Sequence, residues 1–170
     1  MSFIKDFRAL LIGLWLGAAI FFVVVAQSSF AVLPTRELAG AVVSRTLMII
    51  NLSGLVLGLI ALAASFVKTV GTKAFLLWAE RLLVVVLTIC CAVNQFVIAI
   101  WLAYVRGQFG GKPIDEIAPD DPLRIQFNNL HEYSVWILIT AMIAALLAFF
   151  IILRKPDKTT VIDNKQEFKF

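Results

Sequence analysis

The chain is poor in the residues that carry chemistry. It has one histidine and two cysteines, and its four long apolar runs contain no Asp, Glu, Lys or Arg. That weighs against a proton-coupled transporter built on a buried carboxylate, and against a voltage sensor, because both need charge inside the membrane. The two cysteines, Cys90 and Cys91, are adjacent. Neighbours on a helix point in different directions, which disfavours a disulfide and a metal site alike. They are expected to act as small apolar fillers. No Gly-x-Ser-x-Gly, phosphate loop or His-Glu-x-x-His occurs. An enzyme is therefore not expected.

Apolar residues are abundant. They make up 61% of the 170 positions, whereas a soluble domain is about half apolar. The runs are approximately 9–26, 46–67, 82–101 and 133–153. Each is close to the roughly 20 residues that cross a hydrocarbon core of about 30 Å. They do not alternate as barrel strands do, and lipid requires each span to satisfy its own backbone. The expected fold is therefore all-α: an integral membrane four-helix bundle over residues 1–153, followed by a polar tail, 154–170. The first run is read as a retained helix, because its apolar stretch exceeds the about 7–15 residues of a signal peptide.

Charge sets the expected orientation. Two thirds of the 15 Lys and Arg fall on one side: Lys5 and Arg8, then Lys68, Lys73 and Arg81, then the tail. This bias places both termini in the cytoplasm, N-in/C-in, in what is expected to be a bacterial inner membrane. The net charge of +4 then belongs to a basic inner rim facing anionic lipid headgroups, not to a nucleic-acid site. Glu80 and Arg81 read as an interfacial pair. Trp78 at one end of run 3, and Trp101 and Tyr104 at the other, occupy aromatic-belt positions. Outside the membrane, 27–45 reads as an outer turn with a short helical lead into the second run, and 106–121 reads as the longest loop. Asp115, Glu116, Asp120 and Asp121 form a solvated acidic group without calcium-loop spacing. Asp121-Pro122 has the form of a helix cap and first turn, leading an amphipathic stretch of Leu123, Phe127 and Leu130.

Two features within the runs invite a functional reading. The first is a pair of Gly-xxx-Gly motifs, Gly13/Gly17 and Gly54/Gly58. This spacing lets helix backbones approach closely, within the bundle or against another subunit. The second is a polar layer. Asn51 lies six residues past Arg45 and Asn94 seven short of Trp101, both about 10 Å below the outer boundary at roughly 1.5 Å per residue. Gln95, His131 and Ser134 join them. Hydrogen bonding between helices accounts for such a layer at about 0.6 kcal/mol per pair, and a ligand pocket is the alternative. His131 could also offer one axial bond to a chlorophyll-type magnesium or a haem, with Met48 at similar depth as a second haem ligand.

The order Gly13-Leu-Trp-Leu-Gly17, Phe21-Phe22, Pro34, Arg36, Gly40, Arg45 and Asn51-Leu-Ser-Gly54 resembles the transmembrane protein 205-like family. So does Phe127-Asn-Asn-Leu-His131-Glu-Tyr-Ser134 near the end. That resemblance implies a four-helix membrane protein of unknown function and a role for His131, but no reaction. The functional expectation is a non-enzymatic accessory subunit of a larger membrane complex, with an energy-transducing complex carrying pigments or haem as a natural host. It rests on the small size, the glycine faces and the missing catalytic groups. The alternative is a standalone small transporter or metal-handling protein that uses the polar layer. The expected partners are the lipid bilayer and other membrane subunits, with no nucleic acid.

Overall fold

A computed structural model describes residues 3–67 and 74–154. Four helical rods, each long and apolar enough to span a membrane, account for most of it. They are α1 (Phe3–Val32), α2 (Arg36–Ala64), a rod over Ala74–Gly107, and α5 (Pro122–Leu153). The third rod consists of α3 (Ala74–Val93), a π-helical turn (Asn94–Ile98) and α4 (Ala99–Gly107). The rods form a ring in which α1 touches α2, α2 touches α3, α3 touches α5 and α5 returns to α1. Phe3 and Arg154 lie at the same end, where the Lys5 ammonium donates to the Arg154 carbonyl. The expected turn over 68–73 and most of the polar tail lie outside the described residues.

The helices outrun the apolar runs. α1 continues through Gln27, Ser28 and Ser29 to Val32, and α2 begins at Arg36, so the helical lead into the second span is longer than expected and the turn over 27–45 narrows to a corner of three residues. Local hydrogen bonds explain the difference. Ser29 returns its hydroxyl proton to the Val25 carbonyl, and the Thr35 hydroxyl accepts from the Leu38 amide as an N-cap. Polar residues at a helix end keep their backbone bonds and face water. At the start of α5, the Asp121 carboxylate accepts from the Leu123 amide at 2.8 Å and Pro122 opens the first turn.

The core is filled by small side chains. On α5, Ala141, Ala144, Ala145 and Ala148 recur at three- and four-residue spacing and are all buried, which draws the neighbouring helices close. Trp15, Ile12 and Leu87 fill the wider spaces between them. A second cluster closes the loop end. There Val105, Phe109 and Ile98 pack with Leu130, Leu123 and Phe127 from the amphipathic start of α5. The connection reaching it turns at Gly110 and Gly111, with φ of 63° and 81°, a region that favours glycine. Arg36 pairs with Asp115 at 3.5 Å, and Arg106 pairs with Glu37. These contacts tie that connection to the α1–α2 corner.

Exposed Trp78 marks one end of the bundle, and exposed Trp101, Tyr104, Tyr133 and Trp136 surround the other. Along the third rod, the stretch from Trp78 to Trp101 spans about 35 Å at 1.5 Å per residue. That matches a hydrocarbon core with interfacial aromatic belts at both edges.

Candidate functional site

Two buried polar constellations stand out in an otherwise apolar interior. One lies in the third of the bundle nearest the loop end. The Ser134 hydroxyl donates to the Asn94 side-chain oxygen at 2.7 Å, and the Asn94 amide points back to the Ser134 carbonyl at 3.4 Å. Both residues are buried, with Asn94 only 1% exposed. The π turn begins at Asn94, whose carbonyl accepts from the Ala99 amide five residues on. Such a turn inside an α-helix is rare and recurs at functional sites. Across the interface, a Cβ built on Gly58 would lie 2.4 Å from the Thr88 hydroxyl oxygen, and one on Gly54 would lie 2.6 Å from the Cys91 sulfur. One more turn of that antiparallel register carries buried Asn51 to the level of Asn94. Gln95 is partly buried, and its side-chain oxygen has no hydrogen-bond partner.

His131 takes no part in this pair. It is exposed at the margin of the buried face of α5, while Leu130 and Ser134 turn inward. Met48 is also exposed. Among the described residues there is no group of three or more His, Cys, Asp or Glu that could hold a metal ion.

The glycines divide by environment. Gly54 and Gly58 are buried, and the Trp15 indole packs beside Gly54 while donating to the Ile50 carbonyl at 2.9 Å. Gly13 faces the Phe149 ring, 3.1 Å from where a Cβ would stand. Gly17 is exposed, with nothing within 4 Å of that position. Both cysteines are free thiols.

The second constellation corrects the sequence reading. Glu80 does not pair with its neighbour Arg81 at the membrane surface. It meets Arg8 of α1, Nη1 to Oε1 at 3.0 Å, with side-chain exposures of 2% and 3%. The two residues join α1 to α3 across the ring instead of along its rim. Arg81 turns aside. It donates to the hydroxyl and carbonyl oxygens of Ser65 at the end of α2, and its guanidinium lies 4.3 Å from the Phe66 ring centroid. The Arg8–Glu80 contact is close but lacks hydrogen-bond geometry, and Arg8 Nε, Arg8 Nη1 and Glu80 Oε1 all remain without a partner. A buried charge pair left partly unsatisfied is expensive. The apolar runs themselves are free of charge, but buried charge begins two residues beyond Trp78, because the bundle closes over groups that flank the runs.

A sequence model of the family described as Domain of unknown function (DUF4149) matches residues 10–108. The chain belongs to the DUF4149 family. No curated protein and no solved structure matches it. The matched segment covers most of α1, all of α2 and the rod Ala74–Gly107, and it includes Asn51, Glu80 and Asn94. It stops before α5, so the His131 motif lies beyond the segment by which this DUF4149 protein is recognised.

The Asn94–Ser134 pair gives a first prediction. Asn94→Ala should lower stability by about 0.6–1.7 kcal/mol, the range for polar pairs between membrane helices. Thermal unfolding of purified protein in mild detergent measures it. Adding Ser134→Ala should cost little more, since the shared bond is already gone. Fully additive losses would show that the two side chains act separately.

Proposed function

We propose that this chain is a non-enzymatic accessory subunit of a larger membrane complex, with both termini cytoplasmic in a bacterial inner membrane. The observation that carries the reading is Gly17. Its partner in the motif, Gly13, packs inside the bundle, whereas Gly17 opens onto the outer surface of α1 beside exposed Leu14, Ala18 and Phe21. Glycine facing lipid offers nothing to lipid packing, but it lets another helix come close. Inside the bundle, Trp15 and the α5 alanines fill the space and Asn94 is sealed. A transporter using Asn94 would have to open that core. The orientation follows the excess of Lys and Arg at the end that holds Lys5, Arg8 and Arg81.

The finer likeness to transmembrane protein 205-like proteins belongs to the same reading. Its markers Gly13, Gly17, Pro34, Arg36, Arg45 and Asn51 all fall within the matched family segment. In an energy-transducing host, the exposed His131 would meet a pigment or haem only at an interface with another subunit.

The test is co-migration. Native membranes are solubilised in mild detergent and run on a sizing column, with wild type and Gly17→Leu compared. Wild type should run with a large particle, and Gly17→Leu should run alone with an unchanged melting temperature, since nothing in the bundle touches that position. A wild-type protein that runs as a small particle would overturn the accessory-subunit reading.

A further inference from the structure

The Arg8–Glu80 pair is used by nothing described so far, and an ionisable residue buried in a membrane bundle is a candidate site in its own right. We infer that Glu80 is a proton-binding site whose protonation releases Arg8 and unlatches α1 from α3.

Three observations carry it. First, Glu80 is 3% exposed and its Oε1 accepts no hydrogen bond, so its charge is held chiefly by the nearby Arg8 guanidinium. Secondly, the charged surroundings are few. Among the described residues these are Arg8 and Lys5 on α1 and Arg81 on α3. α2 contributes the neutral Ser65, which takes Arg81, and α5 reaches this end at Arg154, whose carbonyl takes Lys5. Thirdly, Glu80 is only two residues from exposed Trp78 at this end of the bundle, so a proton from outside has a short way to travel.

The chemistry balances simply. A proton from water binds a Glu80 carboxylate oxygen and forms a neutral carboxylic acid; no other bond changes, and the site gains one positive charge. Arg8 is then a buried cation without a counter-charge, with Nε and Nη1 already lacking acceptors. That state is strongly unfavourable. Arg8 stands one residue before the apolar run, so its long stem can carry the guanidinium out to the headgroups. The clasp across the ring then opens, because no other ion pair among the described residues joins α1 to α3.

Infrared difference spectroscopy of the full chain in neutral-lipid nanodiscs tests the proton site. Acidification should produce a carboxylic-acid carbonyl band that Glu80→Gln removes and that Glu80→Asp shifts. The Asp variant keeps the acid and assigns the band even if the Gln variant does not fold. The release is read by thiol labelling at Val84→Cys, with Cys90 and Cys91 replaced by Ala. Val84 is 1% exposed and one turn from Glu80. Measured relative to an exposed cysteine at the same pH, because only the thiolate reacts, labelling should accelerate about tenfold over the pH range where the band appears, as a local opening does. Difference spectra unchanged by both Glu80→Gln and Glu80→Asp would overturn the proton site. A titrating Glu80 band with constant Val84→Cys labelling would overturn the release of α1.

Discussion

Glu80→Met should be among the most destabilising single substitutions in this protein, by up to about 3–5 kcal/mol, because it strands the Arg8 cation in a low-dielectric interior; the loss falls below that by whatever Arg8 recovers in moving out to the headgroups. Arg8→Met should cost less, since the stranded carboxylate can take up a proton and lose its charge. The double variant Arg8→Met/Glu80→Met should recover most or all of the loss. Two apolar side chains of similar length would fill the space left by a pair whose N–H and oxygen groups are incompletely bonded. The measurement is a double-mutant cycle on thermal unfolding in detergent. A double variant whose loss equals the sum of the two single losses would mean that the two residues stabilise the bundle independently. The 3.0 Å contact would then carry no coupling.

The second large effect is expected at the α1–α2–α3 junction. A Cβ on Gly54 would stand 2.4 Å from the Trp15 indole nitrogen as well as 2.6 Å from the Cys91 sulfur. Neither neighbour can yield easily. Trp15 is 2% exposed and tied to the Ile50 carbonyl, and Cys91 is buried on the facing helix. Gly54→Ala should therefore cost about 1–3 kcal/mol through overpacking, and Gly54→Leu more. Gly17→Ala is the control. It adds the same methyl group where nothing lies within 4 Å, and should stay within about 0.5 kcal/mol of wild type. Equal effects at the two positions would mean that general helix propensity, not close packing, governs the glycines.

These two junctions show how much of the interior can be read from the chain. On α1, Arg8, Ile12, Trp15, Ala19 and Phe22 are all buried, and on α3 and its π turn so are Glu80, Val84, Leu87, Cys91, Asn94 and Ile98. Both series follow the four- and three-residue steps of one helix face. Arg8 and Glu80 continue their stripes in phase, so the signal was present. It was masked because both residues stand immediately outside the apolar runs, where charge is ordinarily interfacial. His131 is the converse case. A single turn separates it from Ser134, yet the buried face of α5 runs through Leu130, Ser134, Leu138 and Ala141 and leaves His131 at the exposed margin.

By itself the sequence determined the solvent and the element type. Apolar runs of membrane length cannot leave their backbone groups unpaired in lipid, and helices are the local solution. It also determined the cap at Asp121, since an aspartate before a proline satisfies the first free amides of a helix wherever the helix packs. Only the tertiary structure decided which faces meet. Whether Gly17 or Gly54 receives a neighbour, whether Asn94 finds Ser134, and whether Glu80 answers to Arg81 or to Arg8 all depend on helix rotation and register. In a membrane interior these are set by close packing between helices, because lipid and leucine are equally apolar and hydrophobicity alone does not choose among the faces.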